Sequence, residues 1–486
     1  MALREKKFHM YKTLYANRNN ILEEAKKLGE KLGIKNEMKG TFGLTPSHSS
    51  FPGPIAKDVM KAMSQPENIV RPLPDLVDDL RDVVKDYYGD EFDAASVGSG
   101  EGALWVAFEA LVASPMLGRG SGYRSRYISL LERHISYHAS FGRPFPPKYK
   151  YIAADRYVTS GELGVEGKRL VDVDTVIVSA IGARYDAHGI KYFPAPLLSR
   201  VEAKPTADRL ADVAETQSSS LTAFATLGYD TPGYGYGEHD SEGTPVLQVL
   251  ISELAKKYNV PYIVDNAWAA PIIGTDIRKN GASLMVYSVD KVMRGPLSSL
   301  IIGRDDILVP IRRALGMHSH RHGSPSAYSK AAYSAFDPGR EAIVAQTYIL
   351  RKLVENPRNF TNPVDETFRI VNEEFSSFEP AAFKKDILIT KSYNNLAVEI
   401  NYDRTWSSEK IGIPIFTEED SFAGTALFES ALSSMGILPT ITYDGNIFIS
   451  PGHGTVDENG ELIEDRMRLG IKALFGAIGI VCKYAT

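Results

Sequence analysis

A single cysteine, Cys482, stands in 486 residues, which leaves no partner for an intrachain disulfide and too few thiolates for a cysteine-built metal site. Basic charge is not in excess: 55 Lys and Arg against 60 Asp and Glu give a formal net charge of −5. Neither a general nucleic-acid binder nor a protein held on anionic membranes is expected from that balance. Long apolar runs are missing too, and no stretch reaches transmembrane length. The charged start MALREKKFHMYK has no apolar segment of the signal-peptide kind, so a cytoplasmic setting is expected.

What is present is an ordinary globular composition, 43% apolar and 24% charged, long enough for two or three domains around at least one large core. Residues 8–32 place Leu and Ile among charges at helical spacing and close at Gly33, as an N-terminal arm or helix would. Thr41–Pro54 is rich in turn residues and reads as loop, with amphipathic helices expected at 55–64 and 73–88. From Ala94 to Gly303 short apolar runs alternate with helical segments. Strands are expected at Tyr127–Leu130, Thr175–Ala180, Thr222–Thr226, Tyr262–Val264, Leu284–Ser288 and Ser299–Ile302, with a helix at Val246–Tyr258. That alternation predicts the α/β class, a mostly parallel open sheet flanked by helices. The proline- and tyrosine-rich stretch 142–205 reads as an insertion or elaborated crossover. Beyond about residue 340 the order becomes a long helix at Glu341–Val354, strands at Leu396–Ile400 and Asn446–Ile449, and helices near 421–435 and 461–478, an α+β C-terminal small domain.

The segment Val260–Arg304 carries the most chemistry. It places Asp265 at the C-terminal end of one buried strand and Lys291 just after another, on the sheet edge where open α/β folds bind ligands. Taken singly, the two are more simply a strand-end acid and a solvated lysine. Together they suit pyridoxal phosphate: the amine forms a Schiff base, and the carboxylate keeps the pyridine nitrogen protonated so that the ring accepts electrons. Upstream, AASVGSGEGALWVAFEA (94–110) reads as strand, glycine turn and helix. Ser99, Gly100 and Glu101 would present backbone amides at a helix start, where a phosphate is favoured, and Gly98, Gly100 and Gly102 permit close approach. His134, after a predicted strand, could stack on the ring and move protons. Thr226–Gly237 runs from a strand end into a turn-rich loop.

In this order the five elements resemble the pyridoxal-phosphate enzymes of fold type I, the aspartate aminotransferase superfamily, over roughly residues 90–330. They are most similar to the group II amino-acid decarboxylase branch. His134-Ile135-Ser136 matches its His-x-Ser, Gly228-Tyr229-Asp230-Thr231 loosely matches its Gly-Thr-Thr turn, and Asp265-Asn266-Ala267 matches its Asp-x-Ala. The resemblance implies that Ala267 packs on the ring, that Lys291 is the Schiff-base lysine and that Ser288 binds the phosphate. Two departures stand out. Asp290 occupies the place of the histidine that decarboxylases usually carry, and Glu101 stands where many relatives have threonine, so its carboxylate should point away and leave only its N–H to serve.

Ser288-Val289-Asp290-Lys291, with Arg321-His322-Gly323-Ser324-Pro325-Ser326 downstream, looks more like the phosphoseryl-tRNA:selenocysteinyl-tRNA synthase branch, although that enzyme's N-terminal motifs are absent. The likeness implies that Arg321 binds a substrate anion, with His322 beside it in an anion-binding loop. With no carboxylate at ligand spacing, the cluster 318–322 is not expected to hold a metal. The loop around His48 resembles the segment that covers the substrate in many relatives, and an ordinary surface loop is an equal alternative. The implied division is an N-terminal arm and substrate-covering loop at 1–60, a large pyridoxal-phosphate-binding domain at 61–340 and a small domain at 341–486. A homodimer with sites at its interface is implied as well.

No arginine stands in Ser450–Gly454, where aminotransferases often hold the α-carboxylate, although Arg466 and Arg468 follow. The expected activity is a pyridoxal-phosphate-dependent lyase acting on an amino acid or related amine by cleavage of a Cα bond, foremost a decarboxylase. The alternatives are an aminotransferase and a sulfur- or selenium-transferring synthase acting on a phosphoseryl-type substrate. A binding module that has merely kept the fold is disfavoured, because Lys291 and Asp265 are both retained.

Overall fold

Short apolar runs become the strands of a seven-stranded sheet: β1 Phe92–Val97, β2 Arg126–Leu131, β3 Lys191–Pro196, β4 Leu221–Leu227, β5 Tyr262–Asp265, β6 Leu284–Ser288 and β7 Ser299–Arg304. The computed structural model describes residues 10, 12–48, 51–112, 126–131, 191–196, 198, 201–228, 230, 236–316, 334–405, 412–415, 424–443 and 445–485. The spatial order is β1-β7-β6-β5-β4-β2-β3. Every position of β4, β5 and β6 is buried, which is why these strands read as unbroken apolar runs rather than as alternating ones.

Neighbours from β6 to β3 are parallel, whereas β7 is antiparallel to both β6 and β1. Loop length explains the exception. Only residues 289–298 join β6 to β7, too few for a crossover that would bring the chain back parallel.

Alternate side chains of β6 serve opposite faces. Leu284 and Val286 join a cluster with Val106, Phe108, Leu308 and Ile311, from the helices Gly100–Leu111 and Asp305–Ala314. Met285 and Tyr287 join a larger cluster with Leu80, Val84, Ile343 and Leu350, from the helices Leu73–Tyr88 and Arg340–Glu355. At the β1 edge, Asp93 is buried between two guanidiniums: Arg81 donates from Nε at 2.7 Å, and Arg312 Nη1 lies 3.1 Å away.

A second sheet, β10-β11-β9-β8, is antiparallel throughout and comprises β8 Leu388–Ser392, β9 Ala397–Asn401, β10 Ile441–Tyr443 and β11 Asn446–Ile449. The helices Arg358–Phe375, Gly424–Ser434 and Glu464–Tyr484 accompany it. The N-terminal helix Arg18–Lys31 packs on this C-terminal half, and the chain after it is tied there by Leu44 N to Leu438 O at 3.0 Å and Ser450 N to Leu44 O at 2.9 Å.

The expected strands at 127–130, 222–226, 262–264, 284–288 and 299–302 are all present, as are the helices at 73–88 and 246–258. The expected strand Thr175–Ala180 lies outside the described residues. The stretch read as an insertion contributes β3 instead, whose two prolines hid it; among the described residues β3 pairs with β2 alone, and a strand at the sheet edge tolerates proline. The last helix runs on to Tyr484 because Ile480 and Val481 continue its buried face. Among the described residues no helix is long and apolar enough to cross a membrane.

Candidate active site

The pairing registers assemble the sequence motifs on one edge of the large sheet. Ser299 is the partner of Val97 on one side and of Ser288 on the other, so the ends of β1 and β6 flank the start of β7 in a single row. Asp265, the last residue of β5, pairs with Leu227 at the end of β4 and with Val286 in β6. The glycine turn, the Asp265 turn and the Lys291 turn therefore leave the sheet side by side, at the edge where such folds bind ligands.

After β1 the chain turns at Gly98 into the helix Gly100–Leu111, with Ser99 as N-cap: its hydroxyl accepts the amide of Gly102 at 3.0 Å. The remaining first-turn amides have no carbonyl one turn back, so the helix start is an anion-binding surface. Glycine is required here by contact. A Cβ on Gly100 would stand 2.5 Å from Ser288 Oγ, and one on Gly102 would stand 2.9 Å from the Phe336 ring. Gly98 N also donates to Phe336 O at 2.7 Å. Glu101 is exposed in that first turn.

Asp265 is buried, and its Oδ1 accepts the amide of Ala267 at 3.1 Å, which fixes the carboxylate at the head of its turn. Asn266 N donates to Val286 O at 2.9 Å and Ser288 N to Ala267 O at 3.3 Å, stitching this turn to the end of β6. Trp268 completes the turn, fully buried, with an indole Nε1 that finds no acceptor among the described residues. The Lys291 amine lies 5.3 Å from the centroid of that indole. Neighbouring Asp290 has its carboxyl pushed up by burial, against the pull of the Lys291 charge.

A turn of the small sheet closes the site from the side. Asn394 donates to Gly228 O at 2.7 Å, Asn395 donates to Trp268 O at 3.0 Å, and Ser392 Oγ donates to Asp230 O at 3.0 Å. Asp230 meets the His239 Nε2 at 2.6 Å, a bond that raises the imidazole's pKa. His48, on the N-terminal loop, is buried against Phe51, and its pKa is brought down to about 4 by burial first and the Lys291 charge second. The loop thus brings His48 within electrostatic reach of the lysine.

Ser99, Gly100, Glu101, Asp265, Ala267, Ser288, Lys291 and His48 all fall within the described structure. His134, Arg321 and His322 lie outside the described residues. So does the cluster 318–322; among the described residues no group of three or more His, Cys, Asp or Glu side chains could hold a metal ion. Sequence reasoning passed over Trp268, Asn394, Asn395 and Phe336. The signal for Trp268 was its rarity, one of three tryptophans, placed three residues after Asp265.

No protein-family model matches the sequence, and no curated protein matches it. Solved structures are similar in fold. A pyridoxamine-pyruvate aminotransferase from Mesorhizobium loti superposes with a TM-score of 0.53 at 12% identity, covering 92% of this chain and 94% of its own. An omega-transaminase from Sphaerobacter thermophilus gives 0.53 at 12% identity, over 88% of this chain and 84% of its own. An adenosylmethionine-8-amino-7-oxononanoate aminotransferase from Methanocaldococcus jannaschii gives 0.51 at 12%, over 87% and 85%. The sheet order and these superpositions identify the architecture as fold type I, the fold that these aminotransferases share.

Proposed function

We propose that this chain is a pyridoxal-phosphate-dependent enzyme acting on an amino acid or related amine, a lyase by preference and foremost a decarboxylase. The observation that carries the reading is the row of strand ends that sets Asp265, Ser288 with the glycine turn, and the Lys291 turn on one sheet edge.

The residues fit the cofactor. The close approach of Gly100 to Ser288 Oγ sets that hydroxyl beside the helix start, where it and the amides of Ser99, Gly100 and Glu101 would hold the phosphate. Asp265, a buried carboxylate at the end of β5, would lie against the protonated pyridine nitrogen. When bound, pyridoxal phosphate supplies an electron-accepting ring that stabilises negative charge at the substrate Cα.

The chain's own residues do the rest. Lys291 would offer the amine that holds the cofactor and would move a proton at the substrate Cα. Ala267 and Trp268 wall the site with apolar surface that excludes water. The Asn394–Asn395 turn fixes the Gly228 and Trp268 carbonyls, so residues 61–340 bind the cofactor while 341–486 brace the site. His134 as the stacking group, and Arg321, His322 and His48 as substrate contacts, complete the assignment, within a homodimer.

Preference for a lyase over an aminotransferase draws on the absence of arginine from Ser450–Gly454; of the two arginines that follow, Arg468 is bonded to Glu374, Glu373 and Glu464 at 2.6–2.7 Å.

Purified protein loaded with pyridoxal phosphate and incubated with a panel of amino acids tests the reading. Release of carbon dioxide with the matching amine is expected. Keto-acid formation with conversion to the pyridoxamine form would favour transamination instead, and ammonia release would mark a different lyase.

A further inference from the structure

Between the end of β4 and the helix Val246–Tyr258, one histidine is held by acceptors on both sides of its ring. His239 Nε2 lies 2.6 Å from a carboxylate oxygen of Asp230, and Nδ1 lies 2.8 Å from Gly237 O. A carbonyl oxygen never donates, and an ionised carboxylate only accepts. A neutral imidazole carries one N–H and can serve one of the two; an imidazolium serves both. The arrangement therefore calls for the doubly protonated ring.

The charges around the ring agree with this. Asp230 acts on it first and Asp240, on the same loop, adds to the effect, so the imidazole's pKa is raised. Glu238 is engaged elsewhere, accepting Ala203 N at 2.8 Å. Glu242 pairs at 2.8 Å with Lys279, from the helix Ile277–Asn280, a lysine whose charge is also felt by Asp240. The turn of the small sheet that meets Asp230 brings neutral groups, Ser392 and Asn395.

Asp230 carries the pair to the active site. Its second carboxylate oxygen accepts Tyr236 N at 3.4 Å, and its carbonyl accepts Ser392 Oγ at 3.0 Å. Two residues earlier, Gly228 N donates to Asp265 O at 2.7 Å, and a Cβ on Gly228 would stand 2.3 Å from Asn266 Oδ1. The Gly228 turn thus lies directly on the Asp265 turn. At its other end the loop is anchored, with Val246 N donating to Glu238 O at 3.0 Å. The imidazole joins the two ends.

We propose that His239 is a positioning residue: as an imidazolium it clips Asp230 to the anchored end of the loop and keeps the Gly228 turn seated on Asp265, a hold that weakens when the ring loses its proton. Its bearing on the reaction rests on the reading that Asp265 faces a cofactor ring; the clip itself does not. The folded pKa is the higher one, so the hold is fully present below the ordinary histidine value of 6.5 and is lost as pH rises through the folded value.

Deuterium exchange of the full chain without pyridoxal phosphate, read by mass spectrometry, tests the proposal twice. Exchange at the imidazole Cε1–H titrates each histidine, and His239 is expected above 6.5, moving down in Asp230→Asn. A value at or below 6.5, or one unchanged in Asp230→Asn, overturns the proposal. Exchange at the Gly228 amide, corrected for the intrinsic pH dependence of amide exchange, is expected to quicken about fivefold or more between roughly pH 6 and pH 9. His239→Gln should abolish that step, and His239→Lys, which keeps its cation across the range, should hold the slow rate. A wild-type Gly228 amide indifferent to pH overturns the proposal, as does the same step in a folded His239→Gln variant. If circular dichroism shows that variant unfolded, His239→Lys decides in its place: loss of the step supports the clip and a retained step overturns it. No cofactor takes part in either readout. A chain that shows the clip while Lys291 bonds no pyridoxal phosphate would refute the proposed function and leave the clip standing.

Discussion

The amine of Lys291 rests over the indole of Trp268, 5.3 Å from the ring centroid, with the tryptophan fully buried beneath it. One strand end thereby supplies both the carboxylate of Asp265 and the platform for the lysine that leaves the neighbouring strand. Cation–π attraction of about 0.5–2 kcal/mol is a modest part of this; the buried ring area is the larger one. Trp268→Ala should therefore lose about 3–5 kcal/mol of stability in chemical denaturation, while Trp268→Phe should keep most of it. Equal stability of all three proteins would show that the indole does not support the turn.

Asp265→Asn should leave the fold and the neighbouring turn intact but withdraw the negative charge from the cofactor ring. Turnover should fall by about a hundredfold or more, with pyridoxal phosphate still bound as read by absorbance. Wild-type turnover in Asp265→Asn would remove the carboxylate from the mechanism.

His48 makes stability depend on pH. Its folded pKa is about 4 against 6.5 for the free side chain, so between those values the unfolded chain binds a proton that the folded one does not. The contribution is fully present above 6.5 and is lost as pH falls towards 4, by roughly 3 kcal/mol at most. In thermal scans across this window His48→Gln should show a flatter decline than the wild type. Parallel declines would mean that His48 is not buried in the neutral form.

Asp93 sets a lower window. Burial alone would raise its pKa, but the Arg81 bonds and the Arg312 charge bring it to about 2, so its contribution is lost only as pH drops from 3.8 to 2. Asp93→Asn leaves two buried guanidiniums without their counter-ion and should cost about 3–5 kcal/mol in urea unfolding at neutral pH. A loss under about 1 kcal/mol would show that Arg81 and Arg312 find other acceptors.

The large sheet was legible because its central strands are buried on both faces and stand out as compact apolar runs, and because β5 and β6 each end in a polar residue, Asp265 and Ser288. The glycine turn was legible for a related reason: Gly100 and Gly102 meet Ser288 and Phe336 too closely for any side chain. What the sequence hid was contact between distant segments. Asn394 reaches Gly228 across 166 residues, and no local pattern announces that bond. β3 carries two prolines and escaped notice because it lies at the sheet edge. Arg294 looked like any arginine in a loop; its φ of +58° became visible only in the fold.

The most direct test of the central assignment is to incubate the protein with pyridoxal phosphate, reduce it with borohydride, digest it and locate the modified residue by mass spectrometry. A stoichiometric phosphopyridoxyl group on Lys291, absent from Lys291→Ala, is the expected result. Modification spread over surface lysines, or retained in full by Lys291→Ala, would contradict it.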